Sequence, residues 1–164
     1  LTLITHNPIV ALTLVNALVV FSVQHRLRLK ERSLESPALC VVMFWAMFFA
    51  WEICRKIRSK EEEDAYVTYS RIFGRVGAVV AAGSAQAAAF GAALFFFLKI
   101  PLSWAFLLTA SAGYAAATAA NLRFVVKPSP STSKLKPFGE LYIGMVSAAI
   151  IADCLLNVWK EVHP

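Results

Sequence analysis

In the segment WEICRKIRSKEEEDAYVTYSRIFG, residues 51–74, a carboxylate, two cations and a hydroxyl recur at helical spacing. Glu52, Arg55, Lys56 and Ser59 stand at i, i+3, i+4 and i+7, which is one face of a helix. Arg58 lies among them, and Glu61, Glu62, Glu63 and Asp64 follow directly as the acidic cluster of the chain. Hard oxygen ligands beside cations suit a magnesium-bound diphosphate, in which carboxylates hold the metal and Arg or Lys pairs with phosphate oxygens. The same charges also suit a plainer use. Side chains at helix ends snorkel toward water and pair with one another across a turn, at little energetic gain.

The rest of the chain decides what positions these residues. It has 164 residues, of which 59% are hydrophobic and only 16% charged, with a mean hydropathy of +0.63. Soluble domains carry roughly 25% charged residues, so the composition is that of a membrane protein. Five apolar windows stand out: Pro8–Val23, Pro37–Ile53, Val76–Leu98, Pro101–Val126 and Leu141–Val158. Each approaches the ~20 residues a helix needs to cross the hydrocarbon core. Backbone groups in lipid must be satisfied within their own segment, so all five are expected as helices, giving one all-α polytopic bundle of about five spans over residues 1–164. The first window has no basic run before it and no clear small-residue cleavage site after it, and reads as a span rather than a signal peptide.

Lys and Arg in the connections orient the bundle. The N-terminus and the second and fourth connections carry ten of them between them, against six on the opposite face. The positive-inside rule then places loop 54–75 on the cytoplasmic side of an integral membrane protein. The net charge of +6 is mostly this topology signal, with contact to anionic lipid as a second reading. A nucleic-acid partner is not expected, because the basic residues lie in short connections rather than on one face of a soluble domain.

Other residues carry weaker signals. Cys40, Cys54 and Cys154 are scattered without ligand spacing, and His6, His25 and His163 form no cluster. Asp153 falls inside the last window, where an ionised carboxylate is costly, making it an intramembrane functional candidate unless a neighbour pairs with it. Gln86, Tyr114 and Asn121 read as interhelical hydrogen-bonding groups. Gly83, Ala87 and Gly91, and likewise Thr109, Gly113 and Ala117, recur every four residues. These small stripes, with the short Lys99-Ile100-Pro101 connection, predict an antiparallel hairpin of the third and fourth windows. The Pro- and Ser-rich stretch Lys127–Pro137 reads as a flexible polar loop.

The run from FFAWEICRKIR through EEEDAYVTYSRIFG resembles the second conserved region of the UbiA superfamily of intramembrane prenyltransferases. In that family an acidic motif leaves one span and a short cytoplasmic loop ends in a Gly that opens the next. Family members have nine spans, with a first Asp-rich motif after the second and another after the sixth. Five windows with the motif after the second therefore resemble spans five to nine. This chain has Glu52 and Lys56 where the family carries Asp-x-x-x-Asp, and it has no first Asp-rich motif.

The resemblance implies transfer of a prenyl group from a polyprenyl diphosphate to a lipophilic acceptor, with Mg2+ as cofactor. It assigns catalytic roles to Glu52, Arg55, Lys56 and Arg58, substrate contacts to Tyr66, Tyr69 and Arg71, and metal ligation to Glu52, Glu61 and Asp64. A partner chain or segment is implied to supply the missing N-terminal half of the site. Two alternatives stay open: a non-catalytic accessory subunit of a membrane complex, favoured by the missing motif, and a small transporter, to which Asp153 and Gln86 point.

Overall fold

The computed structural model of the protein describes residues 9–17, 19–20, 35–63, 68–100 and 102–162. Asp64, Tyr66 and the cations of the first connection lie outside the described residues. The described residues form α1 (residues 9–17 and 19–20), α2 (Glu35–Cys54), a single 3₁₀ turn η1 (Lys60–Glu62), α3 (Tyr69–Lys99), α4 (Trp104–Val126) and α5 (Lys136–Val162), and no strand. The protein is all-α, as the five windows predict.

Among the described residues three stretches are long and apolar enough to cross a membrane: Pro37–Cys54, Tyr69–Lys99 and Lys136–Leu156. From Pro37 to Trp51 every residue of α2 is apolar, so the helix has no polar face to turn to water. At 23 residues α4 has a similar reach, about 35 Å at 1.5 Å per residue, but Thr109, Ser111, Thr118, Asn121 and Arg123 dilute its hydropathy.

The helices pack in a ring, α2 on α3, α3 on α4, α4 on α5 and α5 back on α2. Lipid tails are as apolar as the side chains, so helix association here rests on close packing and interhelical hydrogen bonds. One cluster joins Met43, Ala46 and Met47 of α2 to Ala89, Ala93 and Phe96 of α3, Phe106 of α4 and Tyr142 and Val146 of α5. A second, at the other end, joins Ile53, Cys54 and Ile57 to Ala78, Ala82, Phe124 and Leu135. Buried Gln86 links helices close to this second cluster: its Oε1 accepts from Asn121 Nδ2 at 2.7 Å, and its Nε2 donates to Cys54 Sγ at 3.7 Å.

Three expectations need correction. The buried small residues of α3 are the row Ala78, Ala82, Ala85, Ala89 and Ala92, while Ala87 of the anticipated stripe is exposed and a Cβ on Gly91 would meet nothing within 4 Å. Alanine is small enough for close approach, so the contact settled on the longer alanine row. The hairpin of α3 and α4 forms, with Gly83 facing Asn121, but on α4 Gly113 of the stripe serves a close approach to α5. A Cβ on Gly113 would lie 2.8 Å from Tyr142 Cδ2 and 3.4 Å from Tyr142 Cα. Finally, the stretch after α4 is a folded turn. Thr132 Oγ1 donates to Lys127 O at 2.7 Å, Ser133 N to Ser129 O at 2.9 Å, and Thr132, Ser133 and Leu135 are buried. Its hydroxyls satisfy the backbone that its prolines cannot.

Candidate anion-binding site at the polar end

The loops that follow α2 and α4 lie together at one end of the ring. The last turn of α2 tightens as it leaves the apolar layer: Arg55 N bonds Trp51 O at 2.9 Å, then Lys56 N bonds Ile53 O at 3.0 Å, the i→i+3 pattern of a closing helix. Fully buried Ile57 pins the exit to the apolar cluster beneath. The chain then runs back along the start of α3, with Tyr69 N donating to Lys56 O at 3.2 Å and Arg58 N to Ser70 Oγ at 3.1 Å. Thr68 caps α3 by accepting from Arg71 N at 3.2 Å and shares a 3.1 Å hydroxyl bond with Ser70. Gly74 has φ 70° and ψ 165°, so residues 69–73 form a separate helical turn before the body of α3. A residue with a Cβ is strained at that φ.

Glu62 ties this loop to the one after α4. Its Oε2 accepts from Ser59 N at 3.2 Å, from Ser59 Oγ at 3.1 Å, and from Ser133 Oγ. Partial burial by itself would raise the carboxyl pKa, but the bonds from Ser133 and Ser59 and the charge of Arg58 outweigh it and hold Glu62 below its ordinary value.

Between these anchors lies a cleft of about 420 Å³. Arg58, Lys60, Arg71 and Arg75 bring four cations to it, Glu61 and Glu63 two carboxylates, Ser59 and Ser70 hydroxyls, and Phe124 and Pro128 an apolar lining. Arg58, Glu61 and Arg71, assigned roles above by resemblance, therefore meet in one place. Glu63 of the acidic cluster meets them there, and Lys60, Arg75 and Ser70 join without having been singled out; the basic residues of residues 51–75, read as a lining rather than a topology count, would have named two of them.

The remaining candidates sit elsewhere. Glu52 is 6% exposed and bridges two cations: Arg55 Nη2 donates to Oε1 at 3.1 Å with Nε 2.5 Å from Oε2, and Lys56 Nζ lies 2.9 Å from Oε1. This is the plainer ion-pair use of the i, i+3, i+4 spacing. Lys56 also lies 5.6 Å from the Tyr69 ring centroid, and Tyr69 stacks on Phe73 at 6.2 Å. Among the described residues no group of three or more His, Cys, Asp or Glu side chains is placed to hold a metal ion. Glu61 and Glu63 alone do not fit a magnesium site.

Asp153 lies at the opposite end, where it takes Ser103 N at 2.9 Å and Ser103 Oγ at 2.6 Å. Ser103 is the N-cap of α4, so the intramembrane carboxylate supports a helix terminus. Both residues that pointed to a transporter, Asp153 and Gln86, are thus held in structural hydrogen bonds.

No protein-family model, curated protein or solved structure matches this chain.

Proposed function

We propose that this chain forms the diphosphate-binding end of an intramembrane prenyltransferase of UbiA type, with the polar end cytoplasmic, which transfers a prenyl group from a polyprenyl diphosphate to a lipophilic acceptor. The observation that carries the reading is the cleft itself, four cations against two carboxylates over an apolar wall at the mouth of the bundle. In this reading Arg58, Arg71, Arg75 and Lys60 pair with the diphosphate, whose apolar tail enters the membrane past Phe124. When the allylic C–O bond breaks, its electron pair leaves with the diphosphate. Arg71 and Arg58, whose backbone nitrogens are held by Thr68 and Ser70, would screen that charge as it develops. The acceptor and the other half of the site would come from a partner chain or segment.

Calorimetric titration of the purified chain in detergent micelles with geranylgeranyl diphosphate tests this. Binding is expected to weaken about tenfold or more in Arg71→Gln, as loss of a charge-assisted phosphate contact implies. Binding unchanged in both Arg71→Gln and Arg75→Gln would overturn it. A second reading, a non-catalytic membrane subunit, is favoured by the closure of Glu52 in its ion pairs, and absence of any diphosphate binding would select it.

A further inference from the structure

A different basic recess lies on the outer corner of the same end. Arg55, Lys56, Arg58 and Lys136 line a space of about 310 Å³. A neighbouring one of about 330 Å³ is lined by Arg55, Arg58 and Lys136 again, with Lys134 and Glu62. Five cations face three carboxylates here, and each carboxylate is already engaged. Glu52 bridges Arg55 and Lys56, Glu62 is held by Ser59 and Ser133, and Glu140 is shared between Trp51 Nε1 at 3.3 Å and Lys136 Nζ at 3.4 Å. The corner therefore keeps an excess of two positive charges.

Its height in the membrane is fixed by the helices that carry it. The apolar stretch of α2 ends at Cys54, one residue before Arg55, and that of α5 begins at Lys136. Trp51 stands at the same level with the Arg55 guanidinium 5.2 Å from its ring centroid, an amphipathic ring at the membrane surface with a cation upon it. Close approach of Gly139 to the Trp51 backbone, with a Cβ position only 3.4 Å from Trp51 Cα, brings the two sets of cations together.

We propose that this corner binds the phosphate of an anionic phospholipid headgroup, with Arg55, Arg58, Lys134 and Lys136 as its donors. The recess is separate from the cleft proposed for diphosphate, and Arg58 is the residue they share. A phosphodiester at the bilayer surface supplies the negative charge that the corner lacks, and its acyl chains lie along the exposed apolar surface beside α2 and α5. The same phosphate chemistry is available from free phosphate in solution, and the experiment separates the two sources.

The chain is reconstituted in nanodiscs of mixed phosphatidylcholine and phosphatidylglycerol, and the lipids that stay bound are read by native mass spectrometry. Phosphatidylglycerol is expected to be retained over phosphatidylcholine. Each cation near an anionic surface is worth about fivefold in binding, so Lys134→Gln/Lys136→Gln should reduce that preference by about twenty-five-fold. Both lysines are exposed, so the double variant keeps its fold, which its unfolding temperature in phosphatidylcholine alone verifies. Arg75→Gln, in the other cleft, should leave the preference intact. Equal retention of the two lipids, or a preference unaffected by the double variant, overturns the proposal. Inorganic phosphate raising the unfolding temperature in neutral lipid as much as phosphatidylglycerol does would assign the corner to soluble anions and overturn the lipid.

Discussion

Asp153→Ala removes one carboxylate and with it both bonds that it makes to the N-cap of α4. The carboxylate is 5% exposed and accepts from Ser103 N and Ser103 Oγ at 2.9 and 2.6 Å. A hydrogen bond to a charged group contributes about 1.5–3 kcal/mol, and a carboxylate at a helix N-terminus adds about 0.3–1 kcal/mol. The two bonds share one acceptor group and Ser103 reaches the surface, so the contributions do not add fully. We expect a loss of about 2–4 kcal/mol, which for a chain of this size lowers the unfolding temperature by about 5–15 °C. The assay is unfolding in mild detergent of the wild type, Asp153→Ala, Ser103→Ala and the double variant. The cycle should return a coupling of about 1–2 kcal/mol, because Ser103→Ala removes the hydroxyl bond and keeps the backbone one. A loss below about 0.5 kcal/mol, or no coupling, would refute the capping role and return Asp153 to the functional candidates for a buried charge.

Gly113→Ala should destabilise the bundle by about 1–3 kcal/mol, since its Cβ would meet Tyr142 at 2.8 Å, whereas Gly91→Ala, in open space, should be near neutral in the same measurement. Glu62 has its carboxyl pKa lowered in the folded loop, so its anchoring is present above the ordinary carboxylate range and is lost as pH falls through the lower folded value. Hydrogen exchange at residues 59–62 should therefore speed up on acidification in wild type, and a Glu62→Gln variant should start fast and lose that dependence. Single cysteines at Lys60 and at Lys99, in a background lacking Cys40, Cys54 and Cys154, should label from opposite faces of the membrane; labelling from one face would refute the arrangement of α3 across it.

Which stretches form helices was legible in the sequence, because helix formation in lipid depends on local quantities: the run of apolar side chains and the need to satisfy the backbone within the segment. So was the ion-pairing of Glu52, whose partners Arg55 and Lys56 are its own neighbours at i+3 and i+4. That Gln86 and Asn121 bond between helices also follows from residue type, since amides in an apolar bundle must find partners; that they pair with each other does not. The tertiary structure decided everything that spans the chain. Four adjacent acids give no sign that Glu62 is the one taken by Ser133, 71 residues away, or that Glu61 and Glu63 turn to the cleft. Asp153 is costly in any apolar window, but that it answers Ser103, 50 residues earlier, depends on the height at which α5 passes the α3–α4 turn. The small-residue stripes show the same limit: spacing shows that a helix can be approached closely, while the register of the packed ring fixes that Gly113 receives Tyr142 and Ala87 faces outward. Hydropathy and periodicity are sums over neighbours in sequence, whereas the partner of a buried polar or small residue is set by how several helices fit at once.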